Sequence, residues 1–210
     1  MAGRSERKIT PLSLANIGDL PSGCRTCAYW VSADKLPPRC GALRDQSAKE
    51  AWISSTSETW GECGSLLYVG SEPVGHALYG PATVFPQTAH FASGPISADA
   101  VFLSCIFVRQ DVRHHGVAKT LLQSIEKSLY MRRVKAIEAL ARTGNLDEPS
   151  ALGPVEFYLQ NGFYVKHDHP AFPLVRLDLK NAVPWQLDLE SMLQSLTVPL
   201  RPSRAPAPTT

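Results

Sequence analysis

Apolar positions recur along the chain with two periods, one typical of strands and one typical of helices. Apolar stretches of strand length occupy residues 9–14, 99–108, 135–142, 163–167 and 174–180. Helical spacing of apolar residues marks residues 47–60, 117–133 and 155–162. Two short apolar runs on either side of Gly70, Ser71, Glu72 and Pro73 predict an antiparallel hairpin, because these four residues favour a turn. The alternation of the elements predicts an α/β (α+β) domain.

The remaining segments set the limits of this domain. Residues 81–97 are rich in proline, glycine and serine and predict a loop, whereas residues 184–196 have the spacing of one more helix. Residues 201–210 have the composition of a disordered tail. We therefore expect a flexible N-terminus at residues 1–8, one domain over 9–180 with a cysteine-containing helical segment at 15–64, and a C-terminal extension at 181–210.

Length and charge narrow the class of protein. A chain of 210 residues is long enough for one well-packed domain and short for two. Its formal net charge of +2 is too small for a general nucleic-acid binder, so nucleic acid is not expected as a partner. No segment approaches the roughly 18 to 20 apolar residues of a membrane span, and the N-terminus lacks an apolar signal region. We therefore expect a cytoplasmic protein without a membrane partner.

A tight turn is predicted where the apolar strand 99–108 leads into the helix that starts at Val117. Gly116 stands at this junction, and the basic residues Arg109, Arg113 and Lys119 surround it. The first N–H groups of a helix have no acceptor within the helix, so with nearby cations they form an anion site. The junction is therefore either a phosphate-binding loop or an ordinary strand-to-helix turn with a solvated basic face.

Two short motifs give this junction a context. Arg113, Gly116 and Ala118 fit the pattern Arg/Gln-x-x-Gly-x-Gly/Ala, and the sequence FYLQNGF follows at residues 157–163. In this order, the motifs resemble two signatures of the GNAT superfamily of N-acetyltransferases, the first of which binds acetyl-CoA. The resemblance extends over residues 9–180 and implies a mixed, mostly antiparallel sheet flanked by helices, with two central strands that splay apart.

The resemblance also implies acetyl-CoA as the co-substrate. The pantetheine arm would lie between the splayed strands and pair with the backbone of Ile106 and Val108. The pyrophosphate would be held at the helix start by Arg113, His114, His115, Gly116, Val117, Ala118 and Lys119. The chemistry implied is direct attack of a primary amine on the thioester in a ternary complex, without a covalent intermediate.

Such an attack needs a base for the amine proton and an acid for the leaving thiolate. Tyr158 matches the general-acid tyrosine of the family, and an interfacial aromatic residue is the alternative. Glu138 lies in a stretch similar to the base-bearing strand of ribosomal-protein alanine acetyltransferases, and burial is expected to raise its pKa. Its alternatives are a solvent-facing carboxylate or an ion pair with Arg142 or Lys135. That branch usually has an asparagine at the position where this sequence has Ala151, so the sequence differs from the branch here.

Cysteines in the N-terminal half raise a separate question. Cys24 and Cys27 have the spacing of half a zinc site, which Cys40 and Cys63 could complete. A redox pair and plain buried or reactive thiols are the alternatives, and no residue is assigned as a metal ligand. Cys105, inside the central strand, is expected in the core.

His167 and His169 alternate around Asp168 and would share one face of an extended strand. On that face they would serve as a base or a gate near the acceptor. The alternative is that they are polar turn residues before Pro170.

The sequence thus predicts an enzyme that transfers an acetyl group from acetyl-CoA to a primary amine. The acceptor stays open between a small molecule and a protein, and self-association as a homodimer stays open too. The main alternative is a non-catalytic acyl-CoA-binding module, or a zinc- or thiol-dependent interaction module. An acetyltransferase that acts on charged tRNA is a weaker alternative because of the small net charge.

Overall fold

One open sheet of eight strands organises the fold. The computed structural model describes residues 6–144, 150–180 and 193–196 of the chain. The strands are β1 Arg7–Pro11, β2 Gly64–Val69, β3 Glu72–Gly80, β4 Ala100–Val108, β5 Ala136–Arg142, β6 Gly153–Pro154, β7 Tyr164–His167 and β8 Leu174–Asp178. They follow the order β1-β2-β3-β4-β5-β8-β7, and β6 pairs with β5 outside this path. Neighbouring strands are antiparallel except for the parallel pairs β4–β5 and β5–β6.

Helices cover both faces of this sheet. They are α1 Ser22–Arg25, α2 Gln46–Thr59, α3 Val117–Met131 and α4 Val155–Gln160. Successive residues of a strand point to opposite faces, and Leu78 of β3 belongs to the apolar core that contains Trp52 of α2. Its neighbour Ala77 belongs to the core that contains Leu122 and Ile125 of α3. The predicted fold class, a mostly antiparallel sheet flanked by helices, is confirmed.

Several element boundaries differ from the prediction for local reasons. α2 is capped by Asp45, whose carboxylate accepts the Ala48 N–H at 2.9 Å, so the predicted cap Ser47 lies inside the helix. β1 ends at Pro11 because the Asn16 side chain accepts the Ser13 N–H and donates to the Pro11 carbonyl, which turns the chain away. The predicted loop at 81–97 contains two short 3-10 helices, Ala82–Val84 and Pro86–His90.

The central strands separate part of the way along their length. The register between β4 and β5 pairs Ala100, Val101 and Phe102 with Ala136, Ile137 and Glu138, and the described pairing ends there. Farther along, β4 keeps its pairing with β3 as far as Val108, and β5 pairs with β8 as far as Leu140. Each strand is therefore held by its outer neighbour while a gap opens between them, as the predicted splay requires.

A bulge on β4 accompanies this separation. Leu78 of β3 is opposite Cys105 and the next residue, Tyr79, is opposite Leu103, so Ser104 is the extra residue. Its hydroxyl donates to the Leu78 carbonyl at 3.0 Å, which satisfies the group inside the core. An extra residue bends a strand and increases its twist, so the bulge directs the end of β4 away from β5.

The predicted helix at 184–196 and the tail at 201–210 lie outside the described residues except for 193–196. The division of the chain at residue 180 therefore stays a prediction. Within the described ranges, no helix is long and apolar enough to cross a membrane.

Gly75 on β3 allows α3 to approach the sheet closely. A Cβ atom built on Gly75 would lie 2.9 Å from Cγ1 of Val117 and 3.0 Å from the Phe107 carbonyl oxygen. Both distances are shorter than a normal contact, and the carbonyl belongs to the backbone of β4. The first turn of α3 therefore depends on a residue without a side chain at this point.

We predict that Gly75→Ala lowers the free energy of unfolding by about 1–3 kcal/mol, because the new methyl group overpacks the contact between β3 and α3. Urea unfolding of the two proteins measures this change. Gly18→Ala is the control, since a Cβ there meets no heavy atom within 4 Å, and its unfolding midpoint should match that of the wild type. Equal midpoints for all three proteins would contradict the prediction.

Candidate functional site

The junction between β4 and α3 has the backbone geometry of an anion site. Gly116, directly before the helix, has a φ of 83°, and His114 has a φ of 64°, so two left-handed residues turn the chain. The Thr120 N–H donates to the Gly116 carbonyl at 2.9 Å, as in a regular first turn. Helix geometry leaves the N–H groups of the three preceding residues, Val117, Ala118 and Lys119, without an acceptor inside the helix. These groups converge on one point beyond the helix start.

Of the three cations around this loop, one is ion-paired within the protein and two are exposed to solvent. The sequence suggests Arg109 as one of the cations for a bound anion. Its guanidinium instead donates to Asp111 at 2.7 Å and to Glu72 at 3.0 Å, so it is engaged within the protein. Arg113 and Lys119 are exposed beside the helix start. Nδ1–H of His115 donates to the Arg113 carbonyl at 2.7 Å, which fixes the tautomer of that ring because a carbonyl oxygen only accepts. Two cations therefore face solvent at the N-terminus of α3.

The gap between β4 and β5 leads to this loop. Ile106 and Val108 lie on the part of β4 beyond its last pair with β5. The Val108 carbonyl accepts a hydrogen bond from Nε of Arg113 at 3.3 Å, so a bound extended chain would share or displace that bond when it pairs with the edge of β4. Both side chains pack against the apolar cluster that includes Val117 and Leu121 of α3. The gap, the strand edge and the helix start therefore form one continuous surface.

Tyr158 on α4 is buried close to this gap. Its ring packs edge-on against Phe157 and Phe163, with centroids 5.4 Å and 5.2 Å away. A Cβ built on Gly153 would lie 3.0 Å from its hydroxyl oxygen, so that glycine makes room for the phenol. Burial, and then the nearby thiol of Cys105 on β4, raise the pKa of Tyr158 above its ordinary value. The phenol therefore carries its proton at neutral pH.

Glu138 on β5 is fully buried, but its surroundings differ from the expectation. Its carboxylate accepts hydrogen bonds from Arg176 at 2.8 Å, from Lys166 at 2.8 Å, and from the N–H and hydroxyl of Ser97 at 2.8 Å and 2.7 Å. Burial alone would raise the pKa, but these hydrogen bonds from Lys166, Ser97 and Arg176 outweigh it and lower the pKa. The expected raised pKa of Glu138 is therefore wrong.

The alternative to the base role was an ion pair with Arg142 or Lys135, but the ion pairs of Glu138 are with Arg176 and Lys166. Arg176 stands directly opposite Glu138 in the register between β5 and β8, and Lys166 comes from β7. Arg176 is held in turn by Asp99, through two contacts of 3.0 Å, and by Asp178 at 2.8 Å. The carboxylate thus joins the segment before β4 to the two outer strands.

We predict that Glu138→Gln lowers the free energy of unfolding by about 3 kcal/mol, because it leaves Arg176 and Lys166 beside a neutral buried group. Urea unfolding at several pH values measures this. In the wild type, the stabilisation from a carboxyl with a lowered pKa is lost as the pH falls through the folded-state pKa, and the variant should lack that part of the acid sensitivity.

Glu72→Gln is the matched control for this charge removal. The Glu72 side chain is 57% exposed in its pair with Arg109, so we expect little change in stability. A Glu138→Gln variant that keeps full stability but loses turnover would contradict the structural role and support Glu138 as the base.

The cysteines group differently from the expected zinc set. Cys24, Cys27 and Cys40 lie near Cys105, whereas Cys63 lies against the Ser57 hydroxyl at 3.6 Å. Burial is the main reason that the pKa values of Cys24 and Cys40 rise to about 12, so both are thiols at neutral pH.

All five cysteines are free. In the described part of the chain, no group of three or more His, Cys, Asp or Glu side chains could hold a metal ion. Only Cys63 is buried, Cys40 is exposed and the other three are partly buried, so in the described residues the cysteines do not form the four-thiol group that the spacing suggested.

His167 and His169 do not act together. The ring of His167 contacts the Ser93 carbonyl at 2.8 Å, whereas Nδ1 of His169 accepts the N–H groups of Ala171 and Phe172 at 3.1 Å and 3.0 Å. These contacts give His169 the role of a turn residue, which was the alternative in the prediction.

Two buried polar residues near the gap were missed by the motifs. Lys49 of α2 is only 6% exposed and donates to the Cys27 carbonyl at 3.2 Å. His76 of β3 stacks on Phe107 of β4, with centroids 5.2 Å apart, and burial lowers its pKa to about 3, so it is neutral. The spacing of Lys49 with Trp52 and Ile53 places it on the apolar side of α2, and this was the signal available in the sequence.

Open central strands, a phosphate-type helix start and a buried tyrosine beside the gap define an acyl-CoA-binding class of α/β fold. A family model described as the acetyltransferase (GNAT) family matches residues 28–163. The chain therefore belongs to the GNAT acetyltransferase family. No curated protein sequence matches it.

Solved structures with this fold come from several organisms. An N-acetyltransferase from Staphylococcus aureus Mu50 superposes with a TM-score of 0.57 at 14% identity, covering 83% of this chain and 99% of that chain. PaiA N-acetyltransferase from Thermoplasma acidophilum, in complex with coenzyme A, gives 0.51 at 16% identity over 82% and 99%. The ribosomal-protein-S18-alanine N-acetyltransferase from Escherichia coli gives 0.51 at 15% identity over 83% and 94%. At these identities the similarity concerns the fold.

Proposed function

We propose that this protein transfers an acetyl group from acetyl-CoA to a primary amine by direct attack in a ternary complex. The observation that carries the proposal is the start of α3, where free N–H groups and exposed cations face the end of the gap between β4 and β5. A pyrophosphate and an extended arm attached to it match this surface in shape and charge. The PaiA relative, which is in complex with coenzyme A, supports the same co-substrate here.

We assign the recognition of acetyl-CoA mainly to backbone groups. The N–H groups of Val117, Ala118 and Lys119 bind the pyrophosphate, and the side chains of Arg113 and Lys119 balance its charge. His114, His115 and Gly116 shape the loop around it. The pantetheine amides pair with β4 at Ile106 and Val108, which brings the thioester toward Cys105 and Tyr158.

We assign Tyr158 as the acid of the reaction. The amine nitrogen forms a bond to the thioester carbonyl carbon, the carbon–sulfur bond breaks, and the thiolate takes the phenolic proton. The new amide nitrogen releases its extra proton to solvent, from which the phenolate of Tyr158 is reprotonated. The raised pKa of Tyr158 keeps that proton available until the thiolate forms. Glu138 is engaged by two cations, so we assign it to the support of the gap and let the amine enter as its free base from solvent.

Calorimetric titration of acetyl-CoA into the wild type and an Ala118→Glu variant tests the co-substrate. We expect micromolar binding to the wild type and at least about a tenfold loss in the variant, because its carboxylate lies within the anion site. This position has helical backbone geometry, so the variant should fold. Gly116→Glu is less suitable, because its φ of 83° disfavours a side chain.

Met131→Glu is the matched control for this experiment. It adds the same charge to the same helix at a residue that is 73% exposed, about 20 Å from residue 118 along the axis. Binding should match that of the wild type. Absence of binding by the wild type would overturn the proposed function.

Turnover of primary amines by a Tyr158→Phe variant tests the acid. We expect kcat to fall by about 10²-fold while the affinity for acetyl-CoA is kept, because only the proton donor is removed. Tyr164→Phe is the control, since Tyr164 is 46% exposed, and it should keep full activity. Unchanged kcat in Tyr158→Phe would show that Tyr158 is a packing residue.

Binding of acetyl-CoA without transfer to any amine would support the non-catalytic acyl-CoA-binding alternative.

A further inference from the structure

A short segment of the C-terminal extension, residues 193–196, packs beside the start of α3. Leu196 is only 4% exposed although the last strand ends at Asp178. It belongs to one apolar cluster with Val112, Val117 and Leu121. Residues 113–116 form the anion loop before α3. Val112 precedes this loop and Val117 follows it, so Leu196 packs against both ends of the loop.

Leu196 also contacts the glycine at the centre of the loop. A Cβ built on Gly116 would lie 3.2 Å from Cδ2 of Leu196, which is tighter than a normal contact. Leu196 therefore occupies the space that a side chain at residue 116 would need. Because Val117 points into the same cluster and is 1% exposed, Leu196 lies on the apolar side of the turn.

The outer side of the loop stays open when Leu196 is in place. Arg113, His114, Gly116 and Lys119 are all exposed. The contact therefore supports the loop from behind and leaves the helix start accessible to an anion.

The segment is attached to a second part of the fold. Nη1 of Arg7 on β1 donates to the Gln194 carbonyl at 3.3 Å. Leu193 packs against the same apolar cluster as Ile9 of β1. The segment thus connects the edge strand β1 to the loop at the other end of the cluster.

We propose that residues 193–196 hold the anion loop in its binding conformation, with Leu196 as a positioning residue for coenzyme A. This inference rests on the proposed function. The loop contains a left-handed non-glycine residue, His114, whose conformation is unfavourable on its own and persists only where packing enforces it. Removing the packing of Leu196 lets the loop adopt other conformations, and the apparent affinity falls with the fraction that stays competent.

Titrations of CoA and of pantetheine test this inference on the full-length chain, by calorimetry for CoA and by ligand-observed NMR for pantetheine. Leu196→Ala should raise the Kd for CoA by about tenfold if a tenth of the loops stay competent. Pantetheine has no pyrophosphate, so its binding should stay unchanged. Leu196→Met, which keeps the volume of the side chain, should bind CoA as the wild type does.

Two shortened chains and one further variant serve as controls. A chain that ends at residue 196 should bind CoA normally, whereas a chain that ends at residue 192 should bind it as weakly as Leu196→Ala does. Val69→Ala truncates a buried residue of the same cluster on β2, so it should lower stability without changing the affinity for CoA.

The outcomes separate this inference from the proposed function. Absence of CoA binding by the wild type overturns both. Normal CoA affinity in Leu196→Ala overturns the positioning role alone, and so does an equal loss for CoA and pantetheine, which indicates general destabilisation. Tighter CoA binding by the chain that ends at residue 192 would show that the segment obstructs the loop.

Discussion

The early end of the pairing between β4 and β5 is the constraint on which the site depends. Both strands continue past the pair Phe102 and Glu138, but each continues along its outer neighbour. A gap in a sheet leaves backbone groups without partners, which is unfavourable unless a ligand or solvent satisfies them. The fold keeps this gap open because the bulge at Ser104 bends β4 while β5 keeps its pairing with β8 as far as Leu140.

The buried carboxylate of Glu138 stands where the strands part. Its hydrogen bonds reach Ser97 before β4, Lys166 on β7 and Arg176 on β8, so three segments around the gap share one buried charge. A buried carboxylate is costly without such partners and strongly disfavours any rearrangement that removes them. In the proposed function, Glu138, which the sequence suggests as a catalytic base, fixes the geometry of the gap.

Features set by short-range chemistry could be predicted from the sequence. The apolar period of α3 and the glycine before it placed the helix start at Val117, and the turn residues around Gly70 placed the hairpin between β2 and β3. The cap of α2 was misplaced by two residues, since both Asp45 and Ser47 are good caps and only backbone geometry selects one.

Features set by register could not be predicted in this way. Arg176 and Lys166 are 38 and 28 residues from Glu138, and the pairing of β5 with β8 and β8 with β7 brings them together. Likewise Cys105 of β4, and not Cys63, lies near the N-terminal cysteines Cys24 and Cys40, although it is more than 60 residues away from them in the sequence. No spacing within one segment encodes these contacts.

The site divides its tasks between backbone and side chains. In the proposed function, recognition of the phosphates relies on N–H groups at a helix start, which many sequences can provide as long as the turn is kept. In the proposed reaction the amine would approach on the face of the sheet that carries Cys105 and Phe107, where Lys49 and His76 are buried. Burial lowers the pKa of His76 to about 3, so its imidazole is neutral, and in the proposed reaction an uncharged amine would suit this buried region better than an ammonium ion.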